Sequence, residues 1–500
     1  MTKPHPVISF LSRKPAAKAL AAGLVLLALL VLAGYMLFHD LDVRPMTDTD
    51  EARHGINAYE MQKSGDYWVT TYLGEPDYWN LKPPMSSWSI VLGYQIFGFN
   101  ALGMRAYSAF SMLLAMLAIT LWLWRRKGFV AALFALLLLL GTHTIFDVHF
   151  ARTGDADSQL FLLFTLSMLA MLDSTKNIRL LYVTAFCFGL AFLSKSWHAA
   201  PIPIICLVWL IVTGQIRSLR VKHYLGIIGF ALLPLLPWAI IRYRADGFTF
   251  FVQMFLVDAL TRSTTILETH QGDWLYYARY LKDILSLRIT ALLCGSLAVM
   301  RWRRLWPRLR FRKPSPLMWG LVIWFLMPIV LYSSVVSKLY WYFFPSLAPA
   351  MIAGGIAAGQ LAKQGRLHIL RLGVLCAATV FMAIGIAHNW QVVLNEEPNN
   401  TYQQDIVEAF DRDLHAGVHV YAQYDPDYLT KPENLTKWRQ SDVLYAYLAG
   451  DVICLNGGQE AFEEDEESAY FMVPANCYDP ELLEYYPVYY ETKNTLIFEK

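Results

Sequence analysis

This sequence is short of charge. Asp, Glu, Lys and Arg make up 16% of its 500 residues while hydrophobic residues make up 56%, whereas a soluble globular protein carries about a quarter charged residues. An ordinary soluble domain is excluded. Cysteine is also scarce, with six in all. Cys187, Cys206, Cys294 and Cys376 lie in or beside apolar runs and read as packing, which leaves Cys454 and Cys477 as a pair that could bond in an oxidising compartment. The small net charge of +2 conceals two one-sided deficits. Residues 1–390 hold 18 Asp/Glu against 36 Lys/Arg, and residues 391–500 hold 6 Lys/Arg against 22 Asp/Glu.

What is present instead is a series of apolar runs near 20 residues, each about long enough to cross a ~30 Å hydrocarbon core as a helix. Eleven spans are expected, at 19–38, 102–124, 129–144, 158–172, 180–194, 199–213, 223–241, about 276–300, 317–334, 341–361 and 372–389. The 276–300 run is the weakest, burdened by Arg279, Lys282, Asp283 and Arg288. A cleavable signal competes for Ala19–Phe38, but that run exceeds the usual ~7–15 residues of a signal core.

Short loops rich in Lys and Arg are retained in the cytoplasm. Arg125-Arg126-Lys127, Lys176/Arg179, Arg217/Arg220/Lys222, Lys363/Arg366/Arg371 and "RWRRLWPRLRFRKP" (301–314, seven basic and no acidic residues) supply five such loops. Threading eleven spans puts all five and the N-terminus on the inside. Loops 39–101, 145–157, 195–198, 242–275 and 335–340 and the tail 390–500 then face outward. The tail mixes strand-like runs such as "VHVYAQY" and "YFMVP" with helix-like ones, and its last segment, "VYYETKNTLIFEK", predicts a hairpin turning at Lys493-Asn494. The expected architecture is an all-α polytopic membrane unit of about 11–13 transmembrane helices over 1–390. A small acidic extracytoplasmic α/β domain over 391–500 follows it.

The outward loops carry the chemistry. "MTDTDEARHG" (46–55) places Asp48, Asp50, Glu51, Arg53 and His54 within seven positions. Acids in a first helical turn suit the helix dipole, which accounts for one or two of them. It does not account for a second acidic patch, "ARTGDADSQ" (151–159), with Arg152, Asp155 and Asp157 at the next outward boundary. Cations stand on the same side: Lys82 before two prolines, Arg262, and Lys338 in "SVVSKLYWYFFP". A cation in so apolar a setting is expensive without an anion. Carboxylates and cations from four outward loops describe a site at the membrane surface that handles an anion and moves a proton. "DTD" also matches the Asp-x-Asp pattern that grips metal-bound nucleotide-sugars, but those are cytoplasmic and this stretch faces outward. A donor presented within the bilayer, a polyprenyl-phosphate sugar, fits better.

These residues resemble a known family. "DTDEARHGINAYEMQKSGDYWVTTYLGEPDYWNLKPPMSSW" is similar to the first outer loop (39–101) of the lipid A aminoarabinose transferases and protein O-mannosyltransferases, integral-membrane glycosyltransferases of the GT-C class. The likeness continues in order through "ARTGDAD", "FLSKS", Arg262, "HQGDWLYY" and "SKLYWYFFP" over roughly 1–390. The resemblance implies Asp50 as the catalytic carboxylate, Asp157 as a second essential acid, Lys82 and Arg262 as holders of the lipid phosphate, and Lys338 as a further cation. Glu51, Arg53, His54, Arg152 and Asp155 are secondary candidates. Two positions depart from the aminoarabinose transferases: His54 replaces a phosphate-contacting Tyr, and Leu81 replaces a Glu associated with a metal. A different sugar or acceptor and the absence of that metal accord with both.

The expected activity is inverting single displacement of a sugar from polyprenyl phosphate onto an extracytoplasmic lipid, glycan or protein. A divalent cation is the one candidate cofactor, membrane lipids are expected partners, and nucleic acid is not. A lipid-linked-sugar flippase is the alternative, which calls for charges near the midplane, whereas these lie at outer ends. A non-catalytic sensor is a third reading, in which Asp50 would be dispensable.

Overall fold

The computed structural model describes residues 15–47, 49–147, 149–265, 272–305, 315–363, 367–396, 402–410, 412–422, 440–455 and 457–500. Each of the eleven expected spans contains a helix. In chain order, with two further helices in the first long loop, these are α1 (Pro15–Phe38), α2 (Asp50–Ser64), α3 (Met85–Phe97), α4 (Ala101–Lys127), α5 (Phe129–Leu140), α6 (Asp157–Asp173), α7 (Leu180–Lys195), α8 (Pro201–Thr213), α9 (Val221–Asp246), α10 (Tyr276–Asp283), α11 (Leu285–Leu305), α12 (Pro316–Ser333), α13 (Leu347–Leu361) and α14 (His368–Leu394). Seven helical segments among the described residues are long and apolar enough to cross a membrane by themselves. The chain is a multi-pass membrane protein.

The departures from eleven full spans have physical causes. The charge-burdened run at 276–300 breaks by 83° between α10 and α11, and its polar half carries an exposed Arg279–Asp273 pair at 2.5 Å. α5 and α8 have 12 and 13 residues, about 18–20 Å at 1.5 Å per residue, and so fall short of a ~30 Å core.

Local signals set the ends of α4. The Asn100 side chain accepts from the Gly103 amide at 2.8 Å as an N-cap. Arg125, Arg126 and Lys127 fill the last turn, where cations complement the helix dipole, and Gly128 follows at φ 91°. α3 doubles back onto α4 because Gly93 meets Gly103: a Cβ on Gly93 would lie 2.0 Å from the Gly103 carbonyl oxygen. Elsewhere α5 packs on α13, and α6 and α9 both pack on α7.

Residues from 402 onward add α15 (Tyr402–Ala409), α16 (Gln440–Gly450) and a five-stranded sheet. After a two-stranded loop hairpin, β1 (Thr71–Tyr72) and β2 (Glu75–Pro76), the sheet strands are β3 (His419–Ala422), β4 (Ile453–Leu455), β5 (Ala469–Pro474), β6 (Val488–Glu491) and β7 (Thr495–Glu499), in the order β4-β3-β5-β7-β6. β3 is parallel to β4 and β5, and the terminal hairpin β6–β7 is antiparallel and completes the sheet through β5. Cys454 and Cys477 are both free.

Alternation along the strands divides the side chains between two cores. Tyr421, Phe471, Val473 and Phe498 bury with Phe462 and Leu482 on one face. Val420, Tyr470, Met472 and Ile497 bury in a cluster that also contains Ala52, Ile56 and Met61 of α2 and Met104 of α4. The terminal sheet and the first loop helix therefore share one hydrophobic core.

Candidate active site

Asp50 opens α2 directly after Thr49, whose φ of 65° puts a β-branched residue in the left-handed region. The Asp50 carboxylate accepts from Lys82 Nζ at 3.3 Å. Burial alone would push Asp50 upward, but the charge of Lys82, followed by those of His149, His54 and Lys195, holds it well below the usual carboxylate range.

Glu51, one residue on, points the other way and is fully buried. It pairs with the equally buried Arg105, through Nε at 2.6 Å and Nη2 at 3.0 Å. It also accepts from the amide and hydroxyl of Thr47 and from the Gly154 amide at 2.8 Å. Arg105 spends its other donors on the carbonyls of Leu41, Arg44 and Pro45. The sequence reads Glu51 as a secondary candidate in an acidic helix start; its partner is Arg105, because an arginine buried at the start of an apolar helix needs an anion. Glu51 clasps Thr47, the 150–155 loop and α4 together.

The second loop supplies Asp155 and His149. Their side chains pair at 3.3 Å, and the His149 ring stacks on Trp341 with centroids 3.8 Å apart. Burial opposes charge on His149, yet Asp155 first, then Asp50 and Asp157, push it up to about 9. Asp155 is held at about 2, its burial outweighed by His149, and it also accepts from the Thr153 hydroxyl at 2.7 Å. His54 lies one turn beyond Asp50 on the same face of α2, with Nδ1 3.3 Å from the Gly154 carbonyl oxygen. Tyr107 donates to that same oxygen at 2.8 Å. Asp157 opens α6 and pairs with Lys195 at the end of α7, both buried.

Strain gathers here. Of seven non-glycine residues with positive φ among those described, Thr49 precedes Asp50, Ser196 follows Lys195, and the third, His149, stands in the cluster itself.

The remaining candidates lie elsewhere. Arg53 is locked to Asp77 by two bonds of 2.8 Å and stacks on Tyr72 at 3.3 Å, which ties α2 to the β1–β2 hairpin. Arg152 donates to the carbonyls of Met36, Leu37 and His39 and to Glu396, so it joins α1 to the chain leaving α14. Lys338 donates to the carbonyls of Gly272 and Val335 at 2.9 and 2.6 Å. Arg262 begins the short helix Arg262–Thr264, and its side chain lies outside the described residues, as does Asp48.

Sequence reasoning gave His149, Lys195 and Arg105 no role. Lys195 and Arg105 were signalled by position, as cations at the ends of apolar helices that require buried anions. His149, six residues before Asp155, had no such signal.

The C-terminal α16 braces this arrangement. Tyr445 Oη accepts from the Met46 amide at 3.0 Å, and Tyr447 Oη donates to Glu60 at 2.9 Å.

Asp50, His149 and Asp155 each offer one ligand atom, all within 4.8 Å of one another, and among the described residues they are the group that could hold a divalent cation. The fit is poor in charge. Lys82 already contacts Asp50 and a protonated His149 already pairs with Asp155, so a dication would have to displace positive charge.

The family described as dolichyl-phosphate-mannose-protein mannosyltransferase matches residues 81–241. The undecaprenyl phosphate-alpha-4-amino-4-deoxy-L-arabinose arabinosyl transferase of Aeromonas salmonicida is 27% identical over 384 residues, covering 71% of this chain and 65% of that protein. The enzyme of the same name from Photorhabdus laumondii is 28% identical over 378 residues, covering 71% and 63%. The chain thus spans slightly less than two thirds of these relatives. ArnT from Cupriavidus metallidurans bound to undecaprenyl phosphate superposes with a TM-score of 0.69 over 95% of this chain and 97% of that one, at 18% identity. The archaeal oligosaccharyltransferase AglB from Archaeoglobus fulgidus reaches 0.53 at 12% identity over 90% and 69%.

Proposed function

We propose, on the premise that this multi-pass protein has the fold of ArnT and resembles the aminoarabinosyl transferases in sequence, that it transfers a sugar from a polyprenyl-phosphate donor to an acceptor outside the cytoplasm. The single observation that carries this reading is the Asp50–Lys82 pair at 3.3 Å. It sets a proton acceptor beside an anion holder at one end of the membrane bundle.

In the reaction, an acceptor hydroxyl or amine attacks the anomeric carbon. Its proton passes to Asp50, and the bond to the phosphate oxygen breaks on the opposite face, giving inversion. The lipid phosphate is a good leaving group and needs charge stabilisation more than a general acid. Lys82 supplies that stabilisation, with Arg262 and Lys338 as further cations brought in by the outer loops that carry them. While Lys82 holds Asp50, the carboxylate is a weak base. Donor binding draws the ammonium towards phosphate and returns basicity to Asp50 when the acceptor needs it. Asp157, held by Lys195, is the second acid of the site and positions the reactants beside Asp50. A flippase would place its charges near the midplane, whereas this cluster lies where the first and second loops meet the terminal domain.

We place the protein in the plasma or inner membrane, with residues 1–390 as the transferase unit, the N-terminus inside, and the site and residues 391–500 outside. A cysteine introduced at Gln459 should react with an impermeant maleimide in intact cells, and one at Lys127 only after the membrane is breached. The reverse pattern would place the site in the cytoplasm.

Lys82→Ala should lower transfer ~100- to 1,000-fold, the usual scale for losing a preorganised stabilising donor, with insertion unchanged. The assay is transfer from undecaprenyl-phosphate sugars in liposomes, the sugar being identified by mass spectrometry of envelope lipids and glycans with and without the protein. Full activity in Lys82→Ala would remove the phosphate assignment.

A further inference from the structure

His54 stands one turn beyond Asp50 on α2, and its environment fixes its chemistry. The residue is 1% exposed. Its Nδ1 faces the Gly154 carbonyl oxygen at 3.3 Å, and a carbonyl can only accept, so the proton of a neutral ring sits on Nδ1. Nε2 then carries a lone pair. That atom is buried with no hydrogen-bond partner among the described residues. It lies on the far side of the ring from Gly154, in a region where Lys82, Asp50 and Asp155 all act on the imidazole. Protonation does not relieve the vacancy, because burial first and then Lys82 push His54 down to about 4. A buried acceptor left unpaired is costly, and each one in a native structure calls for a completing partner, whether a water, an ion or a ligand.

A phosphate oxygen cannot complete it, since both groups would be acceptors. The group required is an O–H or N–H donor close to the phosphate held by Lys82, and the sugar bonded to that phosphate is the nearest source. We infer that His54 Nε2 accepts a hydrogen bond from a hydroxyl or amino group of the transferred sugar, making it a specificity-determining residue of the donor site. This rests on the polyprenyl-phosphate reading. A site built around an acceptor rejects sugars that lack the matching donor group far more strongly than an apolar pocket could.

The test compares His54→Phe, which keeps a ring of similar size and removes the acceptor, with His54→Gln, whose side-chain carbonyl can occupy the position of Nε2. Two ligands are used: undecaprenyl phosphate, and the undecaprenyl-phosphate-linked sugar that the wild type turns over fastest in a panel of glucose, mannose and 4-amino-4-deoxy-L-arabinose. His54→Phe should lower kcat/KM for transfer by about 5- to 100-fold, the range for leaving a buried polar partner unmatched. Its affinity for undecaprenyl phosphate should stay within twofold of wild type, and His54→Gln should recover most of the loss. Equal loss of affinity for undecaprenyl phosphate would make His54 a phosphate contact and overturn the inference. Unchanged kcat/KM in His54→Phe would overturn it as well. Should His54→Phe fail to fold, His54→Gln against His54→Leu decides on the same criteria. Wild-type protein that binds neither undecaprenyl phosphate nor any of the three lipid-linked sugars would instead sink the donor reading itself.

Discussion

Asp50→Asn should transfer almost nothing. The substitution keeps the size of the side chain and can still meet Lys82, but an amide cannot take a proton from the acceptor. A positioned general base contributes ~100- to 10,000-fold, and the expected loss in kcat lies in that range while binding of the lipid donor is retained. The same assay run on Asp48→Asn should remain within a few-fold of wild type, because a charge that only complements a helix dipole contributes ~0.3–1 kcal/mol. Activity in Asp50→Asn with none in Asp48→Asn would move the catalytic carboxylate two residues towards the N-terminus. Activity in both would reduce the acidic stretch to a helix start.

Glu51→Ala has the largest expected effect on stability. It leaves the Arg105 guanidinium buried without its counter-charge and frees the donors of Thr47 and Gly154 at the same time. Removing one partner of a buried ion pair costs ~3–5 kcal/mol. Thermal unfolding followed in detergent should show a much lower midpoint, with activity lost because the two acidic loops separate. Glu51→Gln, which can still accept from Arg105 and Gly154, should fall between the two. A Glu51→Ala protein as stable as wild type would mean that the clasp does not hold the loops.

Much of this was legible from one dimension. The membrane spans could be read because a hydrocarbon core imposes length and apolarity on every crossing, and each expected run contains a helix. The hairpin at Lys493-Asn494 could be read from local pattern and is the β6–β7 turn. The meeting of the first two acidic loops could be read only as a common side. Which acid faces which cation was beyond reach, since Asp50 and Glu51 are adjacent, have similar charge, and point to opposite partners. The partners of Arg53 and Arg152 were beyond reach for the same reason. Their charges serve buried joints between segments 24 and 244 residues apart, and spacing along the chain carries no trace of such distances. His149 was invisible because a histidine without a neighbouring ligand motif looks like any other.

The shared core between α2 and the terminal sheet bears on when the protein becomes competent during synthesis. The bond between Tyr445 and the Met46 amide joins positions 399 residues apart. At ~5–20 residues per second of translation, the segment bearing Asp50 emerges ~20–80 s before its brace exists. Ala52, Ile56 and Met61 have no sheet to bury against in that interval. A chain interrupted short of its last hundred residues therefore lacks both the Tyr445 brace on Met46 and the sheet face that buries α2, so the acidic start of α2 is set only once the whole chain has been made.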